Sequence, residues 1–446
     1  MMKALKFLMP VILVAAISCS EKGVKTQTDL KFFNNQLLYC KTVKKLNDVV
    51  LENNFPPMIA SRNYAYACIA AFECIAAGDS NYISLSGQIK HMPPMPKPEA
   101  GKEIDFDLAA LFAFTKVGNA VTFSEKVVMG YYDDLKKMSD SVGIAPIVLT
   151  NTIAFSDTIA NAILNWSRKD NYAPTRSAER YTVLYNIPGR WVPTPPGYTS
   201  AIEPHWKEIR TMVMDSASQF RPVTPPVFDL KNKNSEYYKA MMEVKTIGEH
   251  LTDEQKHIAE FWDDNPVKTN VFGHVTIITK KFSPPGHWMN IIGIGAKAAK
   301  ADFRTTVAAY AETAIALFDA FISCWDEKYR SNYVRPETII NTIDEKWSPY
   351  IQTPPFPSYT SGHATNSAAA AEIMTYWFGD NLSFTDTSLL EFGIKNREIK
   401  SFRAAAQEAA MSRLYGGIHY RFDNENGAAA GKKLGEFIVS RLKLKK

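Results

Sequence analysis

Three short stretches near the C-terminus carry residues able to hold a tetrahedral oxyanion and do chemistry on it. They are Lys328-x6-Arg335-Pro336, Ser361-Gly362-His363 and Ser412-Arg413-x5-His419-x3-Asp423. Lys328, Arg335 and Arg413 supply three fixed cations, and the two guanidinium groups can pair bidentately with anionic oxygens. Ser361 supplies a hydroxyl. Gly362 and His363 open the Ala-rich run Ala364–Ala371, so their backbone N–H groups are placed to meet an anion as helix N-termini do. Asp423 is positioned either to hold the His419 tautomer, as a carboxylate does for a catalytic or metal-bound imidazole, or simply to cap a helix. His91, His205, His250, His257 and His274 stand outside such motifs and read as core or surface residues. His287, in Pro284-Pro285-Gly286-His287-Trp288, takes no assigned role.

Helices must carry these groups. Val307, Tyr310, Ala311, Ala314, Leu317, Phe318, Phe321, Ile322 and Trp325 recur at the spacing of one helix face, and Lys328 continues that face. A buried ammonium is costly unless paired, and a bound anion is the simplest partner. Pro336 is expected to stop this helix. Gly416-Gly417 break the helix after Arg413 and provide a turn towards His419. A last helix, about Asn424 to Leu442, places Ala430, Leu434, Phe437, Ile438 and Leu442 on one face with Asp423 near its start.

The rest of the chain also reads as helical. Segments Pro57–Ala77, Phe106–Val117, Ser124–Met138 and Thr150–Arg168 have helix-length apolar periodicity. Thr252 with Gln255 forms a capping box opening a segment that runs to Asp264. There, Asp263 and Asp264 either orient a site arginine or end a solvated helix. Strand signals are scarce, and no alternating hairpin with an Asn-Gly turn is visible. Residues 172–230 are rich in Pro, Tyr and Trp and too long for an ordinary connector, so they are expected to pack as an ordered wrap lining the site.

These motifs resemble the signature of the type 2 phosphatidic acid phosphatase and vanadium haloperoxidase superfamily. The run Pro354-Pro355-Phe356-Pro357-Ser358-Tyr359-Thr360-Ser361-Gly362-His363-Ala364-Thr365 and the loop Pro188–Gly197 are similar to the vanadium chloroperoxidase branch in particular. Thr360 departs from the proline that many relatives carry. The resemblance implies an all-α fold of two packed helical sub-bundles. It implies that His419 binds the central atom, vanadium in a peroxidase or phosphorus in a phosphatase. His363 would be the general acid–base, with Ser361 donating to an oxygen and Lys328 polarising the bound oxidant. Trp325 and Phe356 align with the halide pocket of chloroperoxidase-like relatives, although an aromatic stripe is as often core. Vanadate and phosphate share one geometry, so the motif leaves three readings open. The first is a haloperoxidase using hydrogen peroxide and halide at a His419-bound vanadate. The second is an acid phosphatase that hydrolyses phosphate monoesters through a phosphohistidine, and the third an oxyanion-binding lipoprotein without catalysis.

The N-terminus reads as a leader over residues 1–18, with Lys3 and Lys6 before an apolar core and Ala16-Ile17-Ser18-Cys19 resembling a bacterial lipobox. Acylation of Cys19 would tether the mature chain to a membrane of the cell envelope, with residues 19–30 as linker. Loss of Lys3 and Lys6 lowers the formal charge from +5 to +3, too small an excess to argue for nucleic acid. Beyond the leader no uncharged bilayer-length run is expected; Thr305–Trp325 contains Glu312 and Asp319. Cys40, Cys68, Cys74 and Cys324 lack zinc spacing and read as free thiols. The chain is expected to divide into an N-terminal sub-bundle with the wrap, 31–230, and a C-terminal bundle carrying the site, 231–446.

Overall fold

Apolar residues at helical spacing fold into fourteen helices in the computed structural model, which describes residues 32–446. The leader, Cys19 and the whole linker to residue 30 lie outside the described residues. In the first half run α1 (Gln36–Glu52), α2 (Pro57–Gly78), α3 (Phe106–Ala120), α4 (Glu125–Ser141), α5 (Pro146–Ser167) and the single turn α6 (Tyr172–Thr175). The second half holds α7 (Glu236–Glu249), α8 (Asp253–Phe261), α9 (Pro284–Ala298), α10 (Phe303–Ser331), α11 (Pro336–Ile340), α12 (Gly362–Phe378), α13 (Phe402–Tyr415) and α14 (Arg421–Arg441). The capping box at Thr252 and Gln255 is present at the start of α8.

Helix α10 joins the two halves. It lies against α2 on one side and α12 on the other, and almost every residue from Phe303 to Trp325 is buried. Each large apolar side chain so enclosed contributes about 1.5–3 kcal/mol. Its start is fixed by Asp302, whose carboxylate accepts from the Thr305 N–H at 2.7 Å. Its end is set by Asn332, in the left-handed conformation at φ 48°. Pro336 therefore does not stop α10; it opens α11, where its missing N–H and fixed φ suit a first helical position. By length and composition, α10 and α5 both reach bilayer-crossing dimensions, but α5 carries Asp157, α10 carries Glu312 and Asp319, and α10 is wholly enclosed by protein.

Helix α14 rests on α12 backbone to backbone. A Cβ on Gly431 would lie 2.0 Å from the Thr365 carbonyl oxygen, and one on Gly435 would lie 2.8 Å from that of Ala369. Only glycine at these points lets the two helices approach so closely.

Two short antiparallel pairs accompany the helices in a fold that is otherwise helical, as expected. Strands β1 (Lys268–Phe272) and β2 (Val275–Thr279) form a hairpin closed by Gly273-His274, with Gly273 at φ 58°. The turn uses Gly-X chemistry and not Asn-Gly, which is why a search for the latter passes it by. Strands β3 (Phe384–Asp386) and β4 (Arg397–Ile399) pair farther along.

Residues 172–230 form the expected ordered wrap. Trp191 and Trp206 are fully buried. Asp319 of α10 pins the wrap by accepting from the backbone N–H groups of Met212, Val213 and Met214 at 2.7, 2.8 and 3.0 Å. Ile202 N–H donates to the Pro355 carbonyl at 3.1 Å, which brings the wrap beside the Pro-rich run before Ser361.

Candidate active site

Each cation of the three motifs is aimed by backbone carbonyls. Lys328, in the last turn of α10 and fully buried, donates to the carbonyl oxygens of Pro357 at 2.8 Å and Ser358 at 2.9 Å. Arg335, just before α11, donates from Nε to Phe356 O and from Nη1 to Ile418 O, both at 2.8 Å. Arg413, in the last turn of α13, donates from Nη1 to Trp262 O at 2.6 Å. Asp263 and Asp264 beyond Trp262 are buried, so the solvated helix end weighed from sequence does not occur. Among the donors of these three cations, Arg335 Nη2 and Arg413 Nε are buried without a partner. Such orphans are rare in folded proteins and point to a missing acceptor.

His419 sits on the turn after α13, where Gly417 takes φ 77°. Its Nδ1 is 2.8 Å from Asp423 Oδ2, which also accepts from Ser358 Oγ at 2.5 Å and from Tyr420 N–H at 3.2 Å. The carboxylate holds the proton on Nδ1 and leaves a lone pair on Nε2, 3.1 Å from Arg335 Nη1. Asp423 is thus a tautomer anchor in the first turn of α14, and that helix begins at Arg421, before the Asn424 start expected from sequence. Ser358 was not singled out from sequence, although it lies inside the quoted Pro-rich run.

Ser361 is the N-cap of α12, its hydroxyl accepting from Ala364 N–H at 3.4 Å. The first N–H groups of α12, those of Gly362 and His363, have no acceptor within the helix, as the geometry of a helix start requires. Gly362 is already helical, so no flexible turn is needed there. An added Cβ would meet only Trp325, at 3.6 Å, so its smallness keeps space open above the helix end. His363 places Nε2 3.5 Å from Asp264 Oδ2.

Burial sets the electrostatics. Desolvation, then the charge of Arg335, press Lys328 down to about 7, and burial pushes Arg335 to about 9 and Arg413 to about 10. Burial followed by Arg413 lowers His363 to about 4. Burial, reinforced by Arg335, Lys328 and Arg413, holds His419 well below the ordinary imidazole range, so it is neutral and its Nε2 lone pair accepts from Arg335 Nη1 at 3.1 Å. Asp423 rises to about 6 through burial, opposed by the Ser358 hydrogen bond and the nearby cations.

A cavity of about 160 Å³ opens onto this cup, lined among others by Trp325, Phe356, Gly362, His363, Arg413 and His419. Lys328, Arg335 and Ser361 lie fully buried behind its wall. The Trp325 and Phe356 rings meet at 4.9 Å between centroids. The Lys328 ammonium stands 4.9 Å from the Phe356 ring, and the Arg335 guanidinium stands 5.0 Å from it. Both aromatic residues proposed for halide contact therefore face the cavity and the cations at once.

The donor set fits an oxyanion. Among the described residues no group of three or more His, Cys, Asp or Glu is arranged to hold a bare metal ion. Instead there are three cations, a helix start, unpartnered N–H donors and one imidazole lone pair. That set suits vanadate: His419 Nε2 would hold the metal, and Lys328, Arg335, Arg413, Ser361 and Gly362 would meet its oxygens.

Such a helical cup, with two neutral imidazoles and three buried cations around one cavity, is built for an oxyanion cofactor. The model of the VCPO (vanadium chloroperoxidase) second helical-bundle domain matches residues 308–445. A crystal structure described as that of the first bacterial vanadium-dependent iodoperoxidase is 42% identical, with 93% of this chain and 98% of that chain covered and a TM-score of 0.87. A bacterial vanadium-dependent chloroperoxidase shares the fold in holo form (18% identity, 87% and 92% covered, TM-score 0.65) and in apo form (17%, 86% and 92%, 0.64). No curated protein sequence matches. The chain belongs to the vanadium-dependent haloperoxidases, enzymes with a vanadate cofactor.

Proposed function

We propose that this chain oxidises halide with hydrogen peroxide, and that iodide is its preferred halide. The observation that carries the reading is the pair of orphaned guanidinium donors, Arg335 Nη2 and Arg413 Nε, buried around the neutral His419, whose Nε2 has only Arg335 Nη1 as partner. Bound vanadate supplies Lewis acidity that activates peroxide without a change in metal oxidation state. His419 anchors the cofactor, and Asp423 with Ser358 keeps its Nδ1 proton in place. Lys328 and the arginines neutralise oxyanion charge. His363, neutral above about pH 4, accepts and returns peroxide protons. Trp325 and Phe356 offer an apolar wall with positive ring edges to a weakly hydrated halide. Iodide is the most weakly hydrated common halide, and the 42% identical relative is described as an iodoperoxidase.

The envelope assignment belongs to the same reading: Cys19 would carry the lipid, and the catalytic body would stand off the membrane on residues 19–30. Protein prepared without phosphate, loaded with orthovanadate and analysed for vanadium, tests the reaction. Peroxide-dependent oxidation of iodide faster than of bromide is the expected result. Vanadium-containing protein that oxidises no halide, or that hydrolyses phosphate monoesters through a labelled His419, overturns it.

A further inference from the structure

Behind His363 lies a line of buried charges that the oxyanion cup does not account for. His287, in the first turn of α9, is fully buried. Its Nδ1 is 2.9 Å from Asp264 Oδ1 and its Nε2 is 2.9 Å from Asp386 Oδ2. The ring stacks on Trp262 at 4.7 Å. With a carboxylate at each ring nitrogen, the imidazole donates twice and is cationic. Burial alone would lower it, yet Asp264 and Asp386 lift it to about 10.

Asp264 turns its other oxygen, Oδ2, towards His363 Nε2 at 3.5 Å, an ion-pair distance too long for a full hydrogen bond, and His363 Nε2 has no other partner. Asp386, in β3, is fully buried, and its Oδ1 accepts from Ser388 N–H at 2.9 Å. The line Asp386–His287–Asp264–His363 therefore ends inside protein and offers no proton exit to solvent. Asp264 also holds a left-handed backbone at φ 44°. Such a conformation is unfavourable for a residue with a Cβ and persists where surrounding contacts over-determine it.

The charged groups around this line come from several elements. Asp264 and Asp263 follow α8, Lys281 approaches Asp263 at 3.5 Å, and Arg413 comes from α13 onto Trp262 O at 2.6 Å. His363 comes from α12 and Asp386 from β3. Asp264 is thus the meeting point of two imidazoles and lies beside a guanidinium, and only a fixed partner on Oδ1 keeps Oδ2 turned to His363.

We propose that His287 and Asp386 are positioning residues for the haloperoxidase reaction, clamping Asp264 so that it fixes the ring orientation and tautomer of His363. The inference rests on the reading of His363 as the proton-handling residue. No bond is made or broken at His287. Without it, Asp264 is free to turn to Arg413, and His363 loses the carboxylate that faces its Nε2 at 3.5 Å and favours a proton there.

The test uses the full chain and the variants His287→Gln and Asp386→Asn. In vanadate-free protein, nitrogen NMR of ring-labelled histidine reads the His363 tautomer. The wild type is expected to show one tautomer, protonated at Nε2, and His287→Gln a mixture. In vanadate-loaded protein, kcat for His287→Gln is expected to fall about tenfold while halide KM and vanadate affinity stay within about twofold. Asp386→Asn keeps His287 in place and should shift both readouts less, in the same direction; it decides the matter if His287→Gln does not fold. Unchanged His363 signals in folded protein, or a kcat that falls in step with vanadate affinity, overturn the proposal. The NMR readout needs no turnover, so it separates failure of the clamp from failure of the reaction assigned to the site.

Discussion

His419 presents Nε2 as an acceptor because its other nitrogen is occupied. Asp423 takes the Nδ1 proton, and Ser358 donates to the same carboxylate oxygen. Ser358→Ala should weaken vanadate binding about 10-fold or more with little change in fold, measured by titration calorimetry, because such outer partners orient the ligand. The pH dependence follows from two shifted groups. Lys328 drops from 10.5 to about 7 through burial, so it loses its proton as pH rises past 7. Asp423 is raised from 3.8 to about 6 by burial, so it loses its charge as pH falls past 6. Oxyanion affinity of the vanadate-free protein should therefore peak between about 6 and 7, and Lys328→Arg should push the alkaline limb upward. Between about 7 and 10.5 the unfolded chain binds the Lys328 proton and the folded chain does not, so this lysine makes the anion-free protein more stable as pH rises through that window. All the cations and both imidazoles were legible in the sequence, because their motifs are local. Ser358 and His287 were not: their partners, Asp423 and Asp386, lie 65 and 99 residues away, and no local pattern announces such a pairing.

Helices carry these residues with little slack. The N-terminus of α12 is held where α14 can touch it, and that contact depends on the glycines of α14. Gly431→Ala would drive a methyl into the Thr365 carbonyl; the helices should part at a cost of about 1–3 kcal/mol. A lower Tm accompanied by weaker vanadate binding is the expected outcome, and an unchanged Tm would contradict the close approach. Helix positions were readable from apolar period, to within a few residues, for α2, α3, α4 and α5. Their boundaries and the hairpin were harder. Asn332 ends α10 by adopting a left-handed conformation that its type permits but does not require, whereas Pro336, the obvious breaker, proved to be a starter. The β1–β2 turn was missed because Gly273 supplies the positive φ without the usual Asn partner.

At the scale of the molecule, α10 is the shared wall of both halves and carries Lys328 at its end and Asp319 near its middle. Through Asp319 the wrap is tied to the same helix that positions the cup. Asp319→Ala would strand three buried N–H groups, at about 1–3 kcal/mol each. Limited proteolysis should then cut within residues 172–230 much sooner than in the wild type, while the vanadate ligands themselves remain intact. The length and aromatic content of the wrap told of its order in advance. Its path did not follow from sequence, because three consecutive backbone donors leave no trace in side-chain type.

The central claim is that one neutral imidazole, three buried cations and a helix start hold vanadate together. A crystal structure of the vanadate-loaded protein tests it directly. The account predicts vanadium within bonding distance of His419 Nε2, with oxygens on Arg335 Nη2, Arg413 Nε and the N–H groups of Gly362 and His363. Vanadium bound elsewhere, or none at His419 in protein shown to contain it, would contradict the account.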